Sequence, residues 1–232
     1  MPIRIPDALP AHDILESENI FVMTEYRAMH QNIRPLNLLI LNLMPTKIVT
    51  ETQLLRMLSN TPLQIQVDFL QTASYTSTHT DIHHLEQFYY TFDQIKNRRY
   101  DGMIITGAPL DYVPCEETLY WDEVCKIMEW SKTHVHCTFH LCWGAYAGLY
   151  YHYGIEKLDM PKKLFGIYSH EIRKETSPLF RGFNDNFLAP HSRATDVRLS
   201  DVEAVPELEV MAVTETGSLA IAKTTDSRQF FV

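Results

Sequence analysis

The sequence contains little cysteine, and its cysteines lack the spacing of a metal site or a disulfide framework. The four are Cys115, Cys125, Cys137 and Cys142, among 232 residues. Zinc sites and small secreted domains use cysteines at characteristic paired spacings, which are missing here. Because disulfides are rare in reducing compartments, we expect free thiols, no metal site and a cytoplasmic protein.

Long hydrophobic runs and clusters of positive charge are lacking too, which excludes two further classes of protein. The most apolar stretch, residues 36–44, is too short to cross a bilayer, and the N-terminal residues do not form the apolar segment of a signal peptide. The formal net charge is -9, without a long cluster of Lys and Arg. We therefore expect neither a membrane nor a nucleic acid among the partners.

The composition that remains is typical of a globular domain. Hydrophobic residues make up 45% of the chain and charged residues 21%, which provides enough apolar side chains for a core. The length, without a linker or an internal repeat, predicts one domain over residues 1–232.

Strand-like and helix-like segments alternate along much of the chain. Strands are predicted at residues 36–43, 63–69, 102–106 and 135–141, and helices at residues 50–58, 84–95, 116–132 and 143–153. Thr50 and Gln53 have the spacing of a capping box, and Leu119 is expected in the core with Val124. The alternation predicts βαβ units in an α/β fold with a doubly wound, mostly parallel sheet. Strands predicted at residues 164–168, 187–189, 208–213, 219–223 and 229–232 indicate mixed or antiparallel pairing in the later part.

Three loops follow predicted strands and are candidates for a binding site. They are residues 44–49, residues 107–115 and the turn at Cys142. Because ligands of open α/β sheets bind beyond the carboxyl ends of the strands, we expect these loops along one edge of the sheet.

The turn at Cys142 combines features of a nucleophile site. Residues 134–148 read HVHCTFHLCWGAYAG, so a strand reaches Cys142 and small, helix-compatible residues follow at once. A helix N-terminus favours a thiolate, and its N–H groups can stabilise an oxyanion, here with the backbone of Trp143. Gly144 keeps the turn uncrowded, as a nucleophile elbow requires. The other three cysteines are interpreted as small buried apolar residues.

The general base for this thiol is not fixed by local spacing. A thiol nucleophile usually has a histidine nearby. His136 and His140 precede Cys142 on one face of its strand and fit polar strand residues packed beneath a loop, whereas His170 and His191 are more distant candidates. The base stays open on this reasoning.

Several blocks of sequence carry a resemblance that runs collinearly from Met1 to Val232. They are MPIRIPDALPA, NIRPLNLLILNLMPTKIVTETQLLRMLSNTPLQI, TGAPL, YW followed by EW, CWGAYAG and FLAPHSR. Together they resemble the homoserine O-acyltransferase family of methionine biosynthesis. The resemblance implies a fold similar to class I glutamine amidotransferases, which is flavodoxin-like.

The resemblance also implies a reaction and its residues. An acyl group would move from acyl-CoA to Cys142, as a thioester, and then to the hydroxyl of L-homoserine. Lys47, Lys163 and Ser192 would bind substrate, although without the resemblance either lysine would be read as a solvated surface residue. Acetyl-CoA would be a co-substrate, with no bound cofactor, and a homodimer is expected.

The sequence departs from the family at its C-terminal end. In the family, the catalytic His and a Glu that orients it follow a C-terminal strand, in a Gly-His-x-Glu-like motif. Residues 228–232 resemble that strand. The expectation is therefore that the base, a substrate-contacting Arg and the C-terminal part of the family domain lie beyond Val232.

Asp111 occupies the position that the family associates with the acyl donor, where Gly accompanies succinyl and Glu accompanies acetyl. A succinyl group carries a second carboxylate, and two like charges about 5 Å apart at an effective dielectric of about 20 repel by roughly 3 kcal/mol. That is on the order of a hundredfold discrimination, so acetyl-CoA is the predicted donor. The alternative is that Asp111 only caps its own turn.

Other functions stay open on the sequence. Within the same chemistry they are succinyl transfer to homoserine and acetyl transfer to serine. A glutamine amidotransferase would share the cysteine elbow, but such enzymes usually have Gly two residues before the nucleophile, where this chain has His140. A catalytically inactive fragment is the remaining alternative.

Overall fold

The computed structural model describes residues 3–20, 22–25, 34–75 and 80–232. Met1, Pro2, Asn32 and Ile33, which belong to the blocks that carry the family resemblance, lie outside these ranges. The chain packs into two compact units, Met1–Thr106 with Leu119–His136, and Gly107–Thr118 with Cys137–Val232.

The first unit contains a parallel sheet. Its strands are β1 (Ile3–Ile5), β2 (Met23–Thr24), β3 (Leu36–Leu41), β4 (Ile65–Leu70), β5 (Tyr89–Tyr90) and β6 (Tyr100–Ile105). They pair in the order β2-β1-β4-β3-β6, with β5 beside β4, and every pairing is parallel. Leu39, Ile40 and Leu41 of β3 are fully buried, as expected for a strand with neighbours on both sides.

The helices of the first unit are α1 (Ala11–Ser17), α2 (Lys47–Leu58), α3 (Ile82–Phe88), α4 (Phe92–Ile95) and α5 (Trp121–His134). The predicted capping box at Thr50 is wrong, because α2 begins at Lys47 and Thr50 instead donates its hydroxyl to the carbonyl of Thr46 (3.1 Å) within the helix. A capping bond occurs at α4, where the Gln94 side chain accepts the backbone N–H of Thr91 (2.8 Å).

Two further predictions in this unit are wrong for tertiary reasons. The helix predicted at residues 84–95 is interrupted by β5, because Tyr89 and Tyr90 pair with Phe69 and Leu70 of β4. Leu119, predicted in the core, is 79% exposed since it precedes α5 rather than lying on its buried face. Val124 on that face is fully buried, as predicted.

The second unit contains a mixed sheet. Its strands are β7 (Val135–His140, of which Cys137–His140 belong to this unit), β8 (Lys157–Ile172), β9 (Asn186–Val197), β10 (Leu208–Thr214), β11 (Leu219–Thr224) and β12 (Gln229–Phe231). They pair in the order β7-β12-β11-β10-β8-β9. Only β7 and β12 are parallel, and the other pairs are antiparallel. The antiparallel pairing predicted for the later part of the chain is confirmed.

Helix α6 (Trp143–Tyr153) and the short helix α7 (Leu199–Glu203) complete the second unit. The predicted bounds of α6 are confirmed at both ends. Gly154 ends the helix in the left-handed conformation (φ 68°), which costs glycine little because it has no Cβ.

Strands β8 and β9 form a long antiparallel ribbon at the edge of this sheet. Its register is regular from Leu164 to Glu171, and it shifts between Asp159 and Leu164. The extra residues of β8 at that shift bulge out of the ladder. No helix within the described residues is long and apolar enough to span a membrane.

Candidate active site

Cys142 stands at a sharp turn between β7 and α6. Its backbone has φ 53° and ψ -119°, a conformation that costs a non-glycine residue free energy and is typical of functional sites. Hydrogen bonds on both sides hold the turn. The Cys142 N–H donates to the carbonyl of Val232 (2.7 Å), and the Cys142 carbonyl accepts the N–H of Ala145 (2.9 Å). The strand-to-helix turn therefore has the geometry of a nucleophile elbow.

Gly107 packs directly against this turn. A Cβ at Gly107 would lie 3.1 Å from the Cβ of Cys142, 3.4 Å from its sulfur and 3.6 Å from the backbone nitrogen of Trp143. A side chain here would thus crowd the Cys142 side chain and the first N–H of α6. The expectation that the loop after residue 106 lies beside the Cys142 turn is confirmed.

The pKa of the Cys142 thiol is raised, whereas its position at a helix N-terminus was expected to favour the thiolate. Desolvation by surrounding protein atoms raises the pKa of the thiol, although the residue keeps a solvent-exposed surface. The Trp143 N–H and the charge of Arg193 lower the pKa, and the charge of Asp111 raises it. The net direction is upward, so the position at the helix N-terminus does not by itself lower the pKa of this thiol.

Arg193 is the cation of this site, and the sequence reasoning did not single it out. Its side chain is 11% exposed, and its Nη1 donates to Asp196 (3.0 Å) and to the Tyr146 hydroxyl (3.2 Å). Tyr146 donates in turn to the carbonyl of Thr195 (2.7 Å). Tyr146 is on the first turn of α6, so these bonds connect β9 to the elbow. The only sequence signal was the position of Arg193 within FLAPHSR.

Three of the four candidate histidines contact other side chains. His140 is fully buried and stacks on Phe231 at a centroid distance of 4.8 Å, and burial, with the charge of His152, lowers its pKa to about 3. His170 and His191 form a pair with 2.7 Å between their Nε2 atoms. Burial lowers the pKa of His191 to about 4, aided by the charges of Arg193 and His170.

The predicted substrate residues Lys163 and Ser192 lie on the β8–β9 ribbon. Ser192 pairs with Phe165, and Lys163 is within the register shift just before Leu164. Both residues are exposed. Ser192 immediately precedes Arg193 on β9, so the two side chains point to opposite faces of the ribbon.

Asp111 is half-buried in the loop of residues 107–118. Its charge acts on the Cys142 sulfur. The carbonyls of Leu110 and Asp111 both accept hydrogen bonds from the ammonium of Lys157. A cavity of about 460 Å³ adjoins the loop and is lined by Tyr112, Cys115, Tyr150 and Lys157, among others.

Lys47 belongs to the first unit and is not a solvated surface residue. It is 6% exposed, and its ammonium donates to the carbonyl of Asn42 (2.6 Å). Burial lowers its pKa to about 8, against the opposing charge of Glu51. Glu51 is itself fully buried and accepts from Tyr89 (2.6 Å) and pairs with His84 (3.0 Å).

The network around Lys47 was not predicted from the sequence. The i,i+4 spacing of Lys47 and Glu51 was a local signal, whereas nothing in the sequence links them to residues 84 and 89. In the part of the chain that the structure describes, no three His, Cys, Asp or Glu side chains form a group that could hold a metal ion.

Comparison with solved structures shows the fold. A glutamine amidotransferase from Thermotoga maritima superposes with a TM-score of 0.58 at 12% identity, over 85% of this chain and 74% of that one. A second, from Methylobacillus flagellatus, superposes with a TM-score of 0.50 at 10% identity, over 86% and 69%. The expected class I glutamine amidotransferase-like fold is confirmed.

Comparison with sequences shows the family. A chain named homoserine O-acetyltransferase from Bacillus licheniformis is 54% identical over all of this chain and 77% of its own length. One of the same name from Thermotoga neapolitana is 55% identical over all of this chain and 76% of its own. The family model for homoserine O-succinyltransferase matches residues 2–232. The chain therefore belongs to the homoserine O-succinyltransferase family.

Proposed function

We propose that this protein transfers an acetyl group from acetyl-CoA to the hydroxyl of L-homoserine, through a thioester on Cys142. Acyl transfer to homoserine in methionine biosynthesis follows from the family and from the relatives described above. The proposal adds the covalent intermediate, the donor and the residues. The observation that carries it is the elbow at Cys142, whose sulfur stands at the N-terminus of α6 beside Gly107.

The first half-reaction forms the thioester. The Cys142 sulfur attacks the carbonyl carbon of acetyl-CoA, a new carbon–sulfur bond forms, the bond to the CoA sulfur breaks, and CoA leaves as a thiol with the proton from Cys142. The positive charge of Arg193 lowers the pKa of the Cys142 thiol and so reduces the free energy needed to form the thiolate. The N–H of Trp143 would donate to the oxyanion of the tetrahedral intermediate, an interaction that typically contributes several kcal/mol in acyl transfer.

The second half-reaction releases the product. The homoserine hydroxyl attacks the thioester carbonyl, the carbon–oxygen bond forms, and the bond to Cys142 breaks. A general base takes the hydroxyl proton, and the sulfur leaves as a thiolate that is protonated again. Lys163, Ser192 and Lys47 are proposed substrate-binding residues on the strength of the family resemblance.

Acetyl is the proposed donor group because Asp111 adds a negative charge that already acts on the Cys142 sulfur. A succinyl carboxylate close to that charge meets the repulsion of roughly 3 kcal/mol given above. The acetyl group has no charge, so the Asp111 carboxylate does not repel it. The family model takes its name from succinyl transfer and the two relatives from acetyl transfer.

Intact-mass spectrometry tests the covalent intermediate. Wild-type protein incubated with acetyl-CoA should gain the mass of one acetyl group, and the Cys142→Ala variant should gain none while keeping its fold by circular dichroism. Cys125→Ala, a cysteine of α5, is the matched control and should be acetylated like the wild type. An acetyl adduct on Cys142→Ala at the wild-type rate would show that Cys142 is not the nucleophile.

A pair of donors tests the role of Asp111. The rate of adduct formation is measured with acetyl-CoA and succinyl-CoA on wild type, Asp111→Gly and Asp111→Asn. Asp111→Asn removes the charge and nearly keeps the size, so it separates repulsion from steric exclusion. Acetyl preference should fall on the order of a hundredfold in both variants if repulsion dominates, and an unchanged ratio would reduce Asp111 to a turn residue.

The remaining assignments complete the proposal. One acyltransferase domain over residues 1–232, a homodimer and a cytoplasmic location are proposed from the sequence. Sedimentation equilibrium tests the dimer. A steady-state assay with homoserine and serine tests the acceptor, for which Lys163→Met and Ser192→Ala should raise the KM of homoserine more than that of the acyl donor.

A further inference from the structure

Lys157 holds the loop that carries Asp111 through the backbone of that loop. Lys157 is the first residue of β8, and its ammonium donates to the carbonyl of Leu110 (3.0 Å) and to the carbonyl of Asp111. Two successive carbonyls therefore point at one cation. Hydrogen bonds to a charged group are stronger than those between neutral partners, so this contact restrains that part of the loop.

The rest of the loop gives these two peptide groups little other support. The Leu110 N–H donates to the carbonyl of Ala108 (2.8 Å), and the Val113 N–H donates to that of Leu110 (3.2 Å). The Leu110 carbonyl thus accepts from both Val113 and Lys157. The short local bonds define a tight turn, whereas the orientation of the turn toward the body of the unit depends on Lys157.

A fixed backbone at residue 111 also fixes where its side chain begins. Because Lys157 binds the carbonyls on both sides of the Asp111 Cα, it restrains the position of that Cα, from which the side chain whose charge acts on the Cys142 sulfur extends. Without Lys157 the turn that the Val113 N–H closes is less restrained relative to the rest of the unit. The carboxylate would then sample positions farther from the sulfur, where solvent screens it more strongly.

The surroundings of Lys157 suit a cation that binds carbonyls. It lines the 460 Å³ cavity together with Glu116, Glu156 and Asp159, so carboxylates line the same cavity as the ammonium that the loop carbonyls bind. The Tyr150 hydroxyl donates to Glu116 and connects this side of the loop to α6.

We propose that Lys157 is a positioning residue for the choice of acyl donor, which acts by orienting the 107–118 loop so that the Asp111 carboxylate stays beside Cys142. The proposal rests on the function proposed above. It predicts that Lys157 affects the discrimination between acetyl and succinyl donors, and that this effect passes through Asp111.

The experiment measures the rate of acyl-adduct formation with acetyl-CoA and with succinyl-CoA by intact-mass spectrometry. Lys157→Met keeps the length of the side chain and removes the charge and the donors, and it should lower the acetyl-to-succinyl ratio by about tenfold, the scale of losing hydrogen bonds to a charged group. Lys157→Arg should restore most of the ratio. Lys174→Met, an exposed lysine in the same unit, is the matched control and should leave the ratio unchanged.

A double variant separates positioning from general damage. In an Asp111→Asn background the carboxylate is already gone, so Lys157→Met should produce no further change in the ratio. The proposal is overturned if Lys157→Met leaves the ratio at the wild-type value, or if it lowers the ratio equally with Asp111 and with Asn at position 111. Equal slowing with both donors would show a purely structural role.

Amide hydrogen exchange distinguishes failure of this proposal from failure of the proposed function. Wild-type protein that forms no adduct with either donor would contradict the thioester mechanism. The restraint by Lys157 is then tested without substrate, because exchange in residues 107–118 should be about tenfold faster in Lys157→Met than in Lys174→Met. Equal exchange in the two variants overturns the inference.

Discussion

Lys47 allows a quantitative prediction, because its burial lowers its pKa from 10.5 to about 8. The side chain is 6% exposed, and its hydrogen bond to the Asn42 carbonyl and the charge of Glu51 do not offset desolvation. One pKa unit corresponds to 1.36 kcal/mol. The difference between the two pKa values is therefore worth about 3 kcal/mol of unfolding free energy.

The direction in which stability changes with pH follows from whether the folded or the unfolded state holds the Lys47 proton. Between about pH 8 and 10.5 the unfolded chain keeps the Lys47 proton and the folded protein has lost it. The unfolded state binds more protons in this window, so the contribution of Lys47 to stability rises with pH. Below about pH 8 both states are protonated, and the folded protein carries the full cost of the buried ammonium.

The perturbation is Lys47→Met, which keeps the chain length and removes the titration. Urea unfolding of wild type and variant is measured from about pH 7.5 to about pH 9.5, and the unfolding free energies are subtracted at each pH. Subtraction removes the contribution of other groups, including the buried phenols and thiols that titrate at alkaline pH. The wild type should gain about 2 kcal/mol relative to the variant across this range.

Lys174→Met, which removes an exposed lysine, is the control and should give a difference that does not change with pH. A flat difference for Lys47→Met as well would mean that Lys47 titrates like a solvated lysine. That result would refute the inference that burial lowers the pKa of Lys47.

Three further predictions concern other parts of the chain. Arg193→Met should move the alkylation of Cys142 by iodoacetamide to higher pH, since the charge of Arg193 lowers the pKa of that thiol; an unshifted pH profile would exclude this coupling. Gly148→Ala should cost about 1–3 kcal/mol by overpacking, because its Cβ would lie 2.8 Å from the ring of Phe231; calorimetry that shows an unchanged Tm would contradict that close approach. Leu119→Ser should change the unfolding free energy by less than about 0.5 kcal/mol, as the side chain is 79% exposed, and a larger loss would place Leu119 in an interface.

Local sequence patterns were sufficient to predict the bounds of a helix or strand where a strong signal marked each of its ends. Helix α6 was predicted correctly because Cys142 and Gly154 bound a run of helix-compatible residues. The interruption of the helix predicted at residues 84–95 could not be predicted this way. Tyr89 and Tyr90 become a strand only because β4 offers a free edge beside them, which is a property of the folded unit.

The sequence by itself determined the family, the alternating α/β class and the elbow with its cysteine, because each of these depends on the order of residues along the chain. The tertiary structure alone decided the electrostatics. Arg193 and Asp111 lie 51 and 31 residues from Cys142 along the chain, yet both charges act on its sulfur. Lys157 reaches the Leu110 carbonyl across a sequence separation of 47 residues, and Glu51 meets His84 across 33. Charges and hydrogen bonds act through space, so folding had to bring these groups together before the site acquired its chemistry.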